Sequence, residues 1–283
     1  MPDIAYVGGS FVPLNEARAP ITDRAYYYAD AVYEVCSTVG SKVFLFDKHL
    51  DRLERSLGGL RIPYTVDRRL LADLFQQGIA LAGYNETLIY LQVSRGCALR
   101  EKQFPSGEPQ LILTFREKAP MPPEKRKRGI EVVLVPDERW ARCDLKTVML
   151  LPNLLAYQNA LDRGKDDAIF YHPDKRIIHE ATSANVFAVQ GDTVVTPELC
   201  PKLLAGTVRA YVIDLARQNN IEVAERPVSV EQLLAADEVF LTGTTTDVLG
   251  VVRVDEQPIG QGRPGPMTRR LYELFKQTTG CGG

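Results

Sequence analysis

Apolar positions recur with two different spacings along this 283-residue chain, and the switches between them outline its elements. Short strands are expected from Ile4 to Leu14 around Gly8-Gly9, then from Val32 to Val39 and from Val43 to Phe46, with Gly40-Ser41 breaking the last two. The spacing then becomes helical. Between His49 and Leu60, the side chains of Leu50, Leu53, Leu57 and Leu60 share one face, and Asp67 to Leu81 repeats the pattern until Gly83 stops it. Thr87 to Ser94 and Pro109 to Phe115 return to strand composition. Residues 1–118 are therefore expected to form a small α/β domain, an antiparallel sheet with helices on one side.

The pattern breaks between 119 and 129. Pro120, Pro122 and Pro123 with the run Lys125-Arg126-Lys127-Arg128 suit an exposed, solvated connector. Residues 130–283 are expected to form a larger domain. Its strands fall at Ile130 to Val135, Asp167 to Tyr171, Ser183 to Val189 and Thr193 to Thr196. A helix spans Asn153 to Arg163 and ends at Gly164, and another carries the stripe Val208, Val212, Leu215 and Ala216. A last helix is expected near Thr268 to Phe275. The fold class is a two-domain α+β or α/β protein.

Composition narrows the function. With 45% hydrophobic and 25% charged residues the chain can bury a sizeable core, and a formal net charge of −2 supplies no basic field for nucleic acid or an anionic membrane. No apolar run approaches roughly 18 residues. Met1-Pro2-Asp3 has neither a basic start nor an apolar signal core, so a cytoplasmic protein is expected. Cys36, Cys97, Cys143, Cys200 and Cys281 show no CxxC spacing and are odd in number, and His49, His172 and His179 are scattered; neither a disulfide framework nor a metal site is expected. Cys143 reads as a buried structural thiol.

Candidate chemistry sits where the patterning is violated. Lys146 is a lone lysine ahead of the apolar run Val148-Met149-Leu150-Leu151, and lysine is almost never fully buried unless paired or used. Glu180-Ala181-Thr182-Ser183-Ala184 leads a carboxylate and two hydroxyls straight into the apolar strand at Asn185-Val186-Phe187. Leu204-Ala205-Gly206-Thr207-Val208 opens a helix at a glycine, where backbone N–H groups suit a phosphate. Phe240-Leu241-Thr242-Gly243-Thr244-Thr245-Thr246 ends a strand in hydroxyls able to donate to the same anion. A lysine amine, a carboxylate and two such turns are what a pyridoxal phosphate enzyme needs. The amine bonds the aldehyde and shuttles a proton, the carboxylate keeps the pyridine nitrogen protonated, and the turns hold the phosphate.

At these residues the chain resembles the fold-type IV (class IV) pyridoxal phosphate aminotransferases. Their signature Glu-x-small-x-x-Asn-aliphatic-aromatic, then aliphatic-x-Thr, then Leu-x-Gly-aliphatic-x-basic is matched by Glu180, Thr182, Asn185, Val186 and Phe187, by Val194-Val195-Thr196, and by Leu204-Ala205-Gly206-Thr207-Val208-Arg209. Thr207 departs from the usual aliphatic residue. The resemblance runs from Asp23-Arg24 to the last helix and implies a C-terminal pseudo-barrel α/β domain beside the antiparallel one. It implies that Lys146 is the Schiff-base lysine and that Glu180 faces the pyridine nitrogen. It further implies that Arg52, Leu204, Thr207, Val208, Gly243 and Thr244 surround the cofactor.

Within that family the chain looks closest to the D-amino acid aminotransferases of the D-alanine transaminase type. Asp30-Ala31-Val32-Tyr33-Glu34-Val35, His49-Leu50-Asp51-Arg52-Leu53, Gln92-Val93-Ser94-Arg95-Gly96 and Trp140-Ala141-Arg142-Cys143-Asp144-Leu145-Lys146 carry that likeness. It implies a homodimer in which Arg100 and Lys102 reach the neighbouring active site, with Lys102 standing where a histidine is usual, and a substrate pocket lined by Tyr33, Val35, Thr182, Ser183 and Thr245. The expected reaction moves the amino group of a D-amino acid such as D-alanine to 2-oxoglutarate or pyruvate in a ping-pong cycle. The same fold also serves aminodeoxychorismate lyases, branched-chain L-amino acid transaminases and R-selective amine transaminases. A non-catalytic cofactor-binding protein is the alternative from another class.

Overall fold

The computed structural model describes residues 2–279, which leaves Cys281 outside it. The chain divides into two compact units, Met1–Ala119 with Leu145–Met149, and Pro120–Asp144 with Leu150–Gly283. The segment carrying Lys146 thus packs with the first unit, although it follows the start of the second in sequence.

The first unit holds β1 (Ile4–Val7), β2 (Ser10–Pro13), α1 (Arg24–Tyr28), β3 (Ala31–Val39), β4 (Lys42–Val43), α2 (Phe46–Leu60), α3 (Arg68–Ala82), β5 (Thr87–Ser94) and β6 (Gln110–Glu117). Its strands form one antiparallel sheet in the order β2-β1-β6-β5-β3-β4. Leu50, Leu53 and Leu57 of α2 and Leu71, Phe75 and Ile79 of α3 bury against Val32, Cys36, Ile89, Leu91, Leu113 and Phe115 of the sheet. Asp67 starts α3 by accepting from the Leu70 N–H at 3.0 Å, and Gly83 ends it in the left-handed conformation. The strand expected over Val43 to Phe46 stops at Val43. Leu45 turns with φ +54°, and Phe46 opens α2 with its ring edge-on to Phe75 at 5.6 Å. Burial of that ring in the helical layer outweighs its strand propensity.

The second unit contains α4 (Pro123–Arg128), β7 (Ile130–Pro136), α5 (Leu151–Asp162), β8 (Asp167–Tyr171), β9 (Ile178–Ala181), β10 (Asn185–Gln190), β11 (Thr193–Thr196), α6 (Thr207–Gln218), β12 (Glu222–Glu225), α7 (Val230–Leu234), β13 (Glu238–Gly243), β14 (Asp247–Val254), β15 (Gln257–Pro258) and α8 (Pro266–Thr279). The sheet runs β12-β11-β10-β13-β14-β7-β8-β9, with β15 on β14, and is parallel at β11/β12, β14/β7 and β7/β8. The turn at 182–184 joins β9, the last strand of that path, to β10 near its other end, closed by the Ala181 N–H donating to the Ala184 carbonyl at 2.8 Å. The sheet therefore curls back on itself around Val132, Ile169, Ala181, Val186, Val195, Leu241 and Val251.

Two expectations are corrected here. The stretch expected as a solvated connector contains α4, with Pro123 at its start, where the fixed φ of proline suits the first turn. Arg126 anchors that helix, donating to the Val248 carbonyl at 2.7 Å and lying 4.0 Å over the Tyr272 ring, while Lys125 and Arg128 pair with Asp166. Glu180 also does not lead into the strand that follows it; it lies within a strand of its own, β9, whose Ile178, His179 and Glu180 are all buried. No helix among the described residues is long and apolar enough to cross a membrane.

Candidate active site

In the second unit the candidate residues centre on Glu180. Glu180 is 7% exposed, and its carboxylate is gripped from both sides. Arg139 Nη1 donates to Oε1 at 2.5 Å, while the Leu204 N–H (2.9 Å) and Asn185 Nδ2 (3.4 Å) donate to Oε2. Arg139 is itself held: its guanidinium forks onto Asp137 at 3.0 and 2.9 Å, donates to the Lys202 carbonyl, and lies 4.2 Å over the Phe170 ring. Burial opposes ionisation of Asp137, but hydrogen bonds from His179 and Arg139 and the guanidinium charge hold its carboxyl well below the usual range. Asp137 thus shares the charge of Arg139 with Glu180, and the cluster keeps an ionised carboxylate in one orientation.

The phosphate-binding turns expected from the sequence lie on neighbouring segments of this unit. Gly206 precedes α6, whose first turn has no side-chain cap, so the helix N-terminus offers its backbone N–H groups and dipole to an anion. A Cβ at Gly206 would lie 2.0 Å from Asn185 Oδ1. Asn185 also donates to the Leu204 carbonyl at 2.9 Å, so one side chain ties the 204–206 turn to β10 and to Glu180. Asn185 pairs in register with Thr242 of β13, one residue before the Gly243-Thr244 turn. Thr242 Oγ1 is buried and has no hydrogen-bond partner among the described residues. Thr207 and Val208 are buried, Thr244 is half-buried, and Ser183 and Thr245 are exposed. Thr182 is occupied structurally, its hydroxyl donating to Asp167 at 2.6 Å and its carbonyl accepting from Asn153 at 2.7 Å.

In the first unit the candidate residues lie along β3. The 145–149 segment runs beside the free edge of that strand. The Tyr33 N–H donates to the Lys146 carbonyl at 3.0 Å, the Val148 N–H to the Ala31 carbonyl at 3.2 Å, and the Lys146 N–H to Ser56 Oγ at 3.1 Å. Leu145 packs so closely on α2 that a Cβ at Gly59 would lie 2.5 Å from it. The segment is thereby held at both its main chain and its side chain. Lys146 Nζ lies 4.2 Å from the centroid of the Tyr33 ring, and Tyr33 stacks on Tyr90 at 5.5 Å. Strand alternation puts Tyr33 and Val35 half-buried on one face and Glu34 and Cys36 buried on the other, toward α2.

On that inner face Arg52 forks onto Glu34 at 2.8 and 2.7 Å, and His49 Nδ1 approaches the same carboxylate at 2.7 Å. Burial would raise the Glu34 carboxyl, but the charge and hydrogen bonds of Arg52, with those of His49, bring it down to about 2. Arg52 and Glu34 are therefore one buried ion pair. Arg100 and Lys102 are exposed on an irregular segment, with the Arg100 guanidinium 5.4 Å over the Tyr28 ring. Cys143 donates to the Trp140 carbonyl, and burial pushes its thiol up to about 11, which suits a structural, un-ionised role.

A model of the family "Amino-transferase class IV" matches residues 31–254. The chain belongs to the class IV aminotransferases. A D-alanine aminotransferase of Bacillus licheniformis is 30% identical over 270 residues, 95% of each chain, and one of Staphylococcus haemolyticus is 31% identical over 275 residues, 96% of each. Among solved structures, a branched-chain amino acid aminotransferase of Escherichia coli superposes with a TM-score of 0.90 at 25% identity, covering 98% of this chain and 94% of that one. A branched-chain amino acid aminotransferase of T.th., solved with pyridoxamine 5'-phosphate, gives 0.89 at 26%, covering 99% and 94%. The two-domain α+β fold is thus fold type IV, and the chain is a pyridoxal phosphate-dependent aminotransferase. The residues present fit that group. An uncapped helix N-terminus, a buried hydroxyl without a partner beside the Gly243 turn, and a buried carboxylate fixed by three donors are what its phosphate and ring nitrogen require.

Several supporting residues carry no mark in the sequence. Arg139, Asp137 and His179 are ordinary charged and polar positions until β7 and β9 bring them to Glu180, and Tyr90 is one aromatic among the residues of β5. His49 and Glu34 lie inside the segments that carry the family likeness, but only burial shows that they are Arg52's partners.

Proposed function

We propose that this aminotransferase takes its amino group from D-amino acids such as D-alanine and passes it to 2-oxoglutarate or pyruvate. The observation that carries this reading is the likeness over 95% of the chain to curated D-alanine aminotransferases, joined to the half-buried Tyr33 beside Lys146 and to Arg100 and Lys102 on the 98–109 segment. Bound pyridoxal phosphate supplies an aldehyde that captures the amino group and a ring that accepts electrons from the substrate Cα. Lys146 is proposed to bond that aldehyde and, once displaced by substrate, to take and return the Cα proton at Nζ. Glu180 is proposed to hold a proton at the ring nitrogen, oriented by Arg139, the Leu204 N–H and Asn185. The turns at Leu204, Thr207, Val208, Gly243 and Thr244, with Arg52, are proposed to hold the phosphate. Tyr33, Val35, Thr182, Ser183 and Thr245 are proposed to line the substrate, and Arg100 and Lys102 to bind its α-carboxylate, Arg100 as a planar fork and Lys102 as a point charge.

A homodimer in the cytoplasm completes the proposal. Leu99, beside Arg100, is 73% exposed, and Ile21 and Tyr26 of the same unit are also exposed. On α5 of the other unit, Leu151, Leu154 and Leu155 are each at least 60% exposed. Apolar side chains of this size in clusters are usually covered by a partner. A branched-chain L-amino acid reading is favoured by one observation, the superposition on branched-chain enzymes at a TM-score of 0.90.

A donor panel with 2-oxoglutarate separates the two. The D-amino acid reading expects D-alanine to be a donor and the glutamate formed from 2-oxoglutarate to be the D-enantiomer. Formation of L-glutamate from L-leucine, with D-alanine inert, would replace it by the branched-chain reading.

A further inference from the structure

The segment from residue 98 to 109 holds Arg100 and Lys102 without a helix or a ladder to fix it. Backbone in such a segment takes its conformation from whatever donors reach its carbonyls. Here those donors come from a buried cluster centred on Asp30. Arg24 Nε and Arg95 Nε both donate to Asp30 Oδ2 at 2.8 Å, and Arg95 Nη2 donates to Oδ1 at 3.0 Å. Both arginines are almost fully buried, at 3% and 2% exposure.

Each arginine then turns a second edge to the loop or its foundation. Arg24 Nη1 donates to the Glu101 carbonyl at 2.8 Å and reaches the Gln103 carbonyl at 3.4 Å, so it spans the stretch that contains Lys102. Arg95 donates to the Leu60 and Arg61 carbonyls, both at 2.7 Å, where α2 ends. Its guanidinium lies 3.6 Å from the centroid of the Phe104 ring, which is 49% exposed, closer than the Arg61 guanidinium at 5.0 Å, whose carbonyl Arg95 also holds. One carboxylate therefore aligns two guanidinium groups; one grips the loop by its main chain, the other by its aromatic end. Removing a charged partner from such a site leaves the rest buried and unpaired, so its members hold one another in place.

We propose that Asp30, acting through Arg24 and Arg95, is a positioning device that sets Arg100 and Lys102 for the substrate α-carboxylate. This rests on the proposed carboxylate role of those two residues. None of the three clamp residues is asked to touch substrate or cofactor, and their effect is on how well the amino acid is held.

The test uses the cofactor-loaded enzyme and two variants. Arg24→Gln removes the grip on the Glu101 carbonyl, and Phe104→Ala, at an exposed site, removes the stacked ring without disturbing a buried charge. The donor is whichever amino acid the wild type consumes, so the donor panel tests the functional reading and the variant-to-wild-type ratio tests this one. Arg24→Gln is expected to raise the donor KM about tenfold with kcat within about twofold, Phe104→Ala to raise it by a smaller factor, and both to speed amide exchange across residues 99–104 while leaving the cofactor absorbance unchanged. A donor KM within error of wild type in Phe104→Ala and in any folded Arg24→Gln would overturn the proposal. So would a fall in kcat and cofactor occupancy at constant KM, which marks a merely structural role.

Discussion

At the scale of single residues, Glu180 and Lys146 are proposed to work at opposite ends of one cofactor, and each is held by neighbours that have no part in the chemistry. Arg139 is the main brace of Glu180, and Asp137 in turn braces Arg139. Arg139→Met is expected to leave two buried carboxylates without their cation and to cost about 3 kcal/mol of stability, read from urea denaturation, together with a fall in kcat. Lys146→Ala is expected to abolish turnover and to remove the visible band of the lysine-linked cofactor, while cofactor still binds through the phosphate turns. The Glu34 cluster predicts a pH effect of definite sign. His49 is lowered from 6.5 mainly by burial, and Glu34 from 4.5 to about 2, so below neutrality the unfolded chain binds more protons than the folded one. Stability is therefore present in full above pH 6.5, begins to fall as His49's unfolded value is passed, and falls further between pH 4.5 and about 2. Glu34→Gln should flatten the acid limb of urea midpoint against pH; an unchanged limb would place the acid sensitivity elsewhere. In the sequence, Lys146 and Glu180 stand out as candidates because a charge beside an apolar run is anomalous. Arg139 and Asp137 do not, because Glu180 and His179, which they hold, lie 41 and 42 residues away and meet them only through the fold.

At the scale of elements, the helix-and-strand pattern is readable wherever one face is apolar and the other polar. α2, α3 and β5 follow their periodicities closely, while β8 and β11 match their expected bounds as short, largely buried runs without alternation. β9, β12, α7 and β14 escape that reading. β9 is buried along its whole length, with no alternation to mark it, and β12 and α7 are too short to show a period. The misplaced helix start at Phe46 has a tertiary cause, the contact with Phe75. The start of α6 is the element with the clearest functional demand. Gly206→Ala is expected to push Asn185 off its bonds to Leu204 and Glu180, because the new Cβ would meet Asn185 Oδ1 at 2.0 Å. Loss of these bonds should cost about 1–2 kcal/mol and weaken cofactor binding by roughly tenfold or more, measured by equilibrium dialysis of the apoenzyme with pyridoxal phosphate. Unchanged affinity would mean that this turn does not hold the phosphate.

At the scale of the molecule, the order of the chain and the order of packing differ. Residues 145–149 return to the first unit after the second has begun, so Lys146 lies along β3 beside Tyr33 while Glu180 is fixed by β7, β9 and β10. A sequence reading that cuts the chain once, at the proline-rich stretch, misses this return. The exposed leucines of α5 and Leu99 predict a dimer by light scattering at micromolar concentration, and substituting Leu151, Leu154 and Leu155 together by polar residues should shift it toward monomer if they form the interface. The proposed half-reaction passes the amino group of a D-amino acid to the bound cofactor, with Lys146 moving the Cα proton. It is tested most directly by mixing cofactor-loaded enzyme with D-alanine, with no acceptor present, and measuring the pyruvate released against enzyme protomers. Pyruvate stoichiometric with protomers is expected for D-alanine, none for the Lys146→Ala variant, and little reaction with L-leucine. Conversion of L-leucine to its oxo acid with no pyruvate from D-alanine would contradict it.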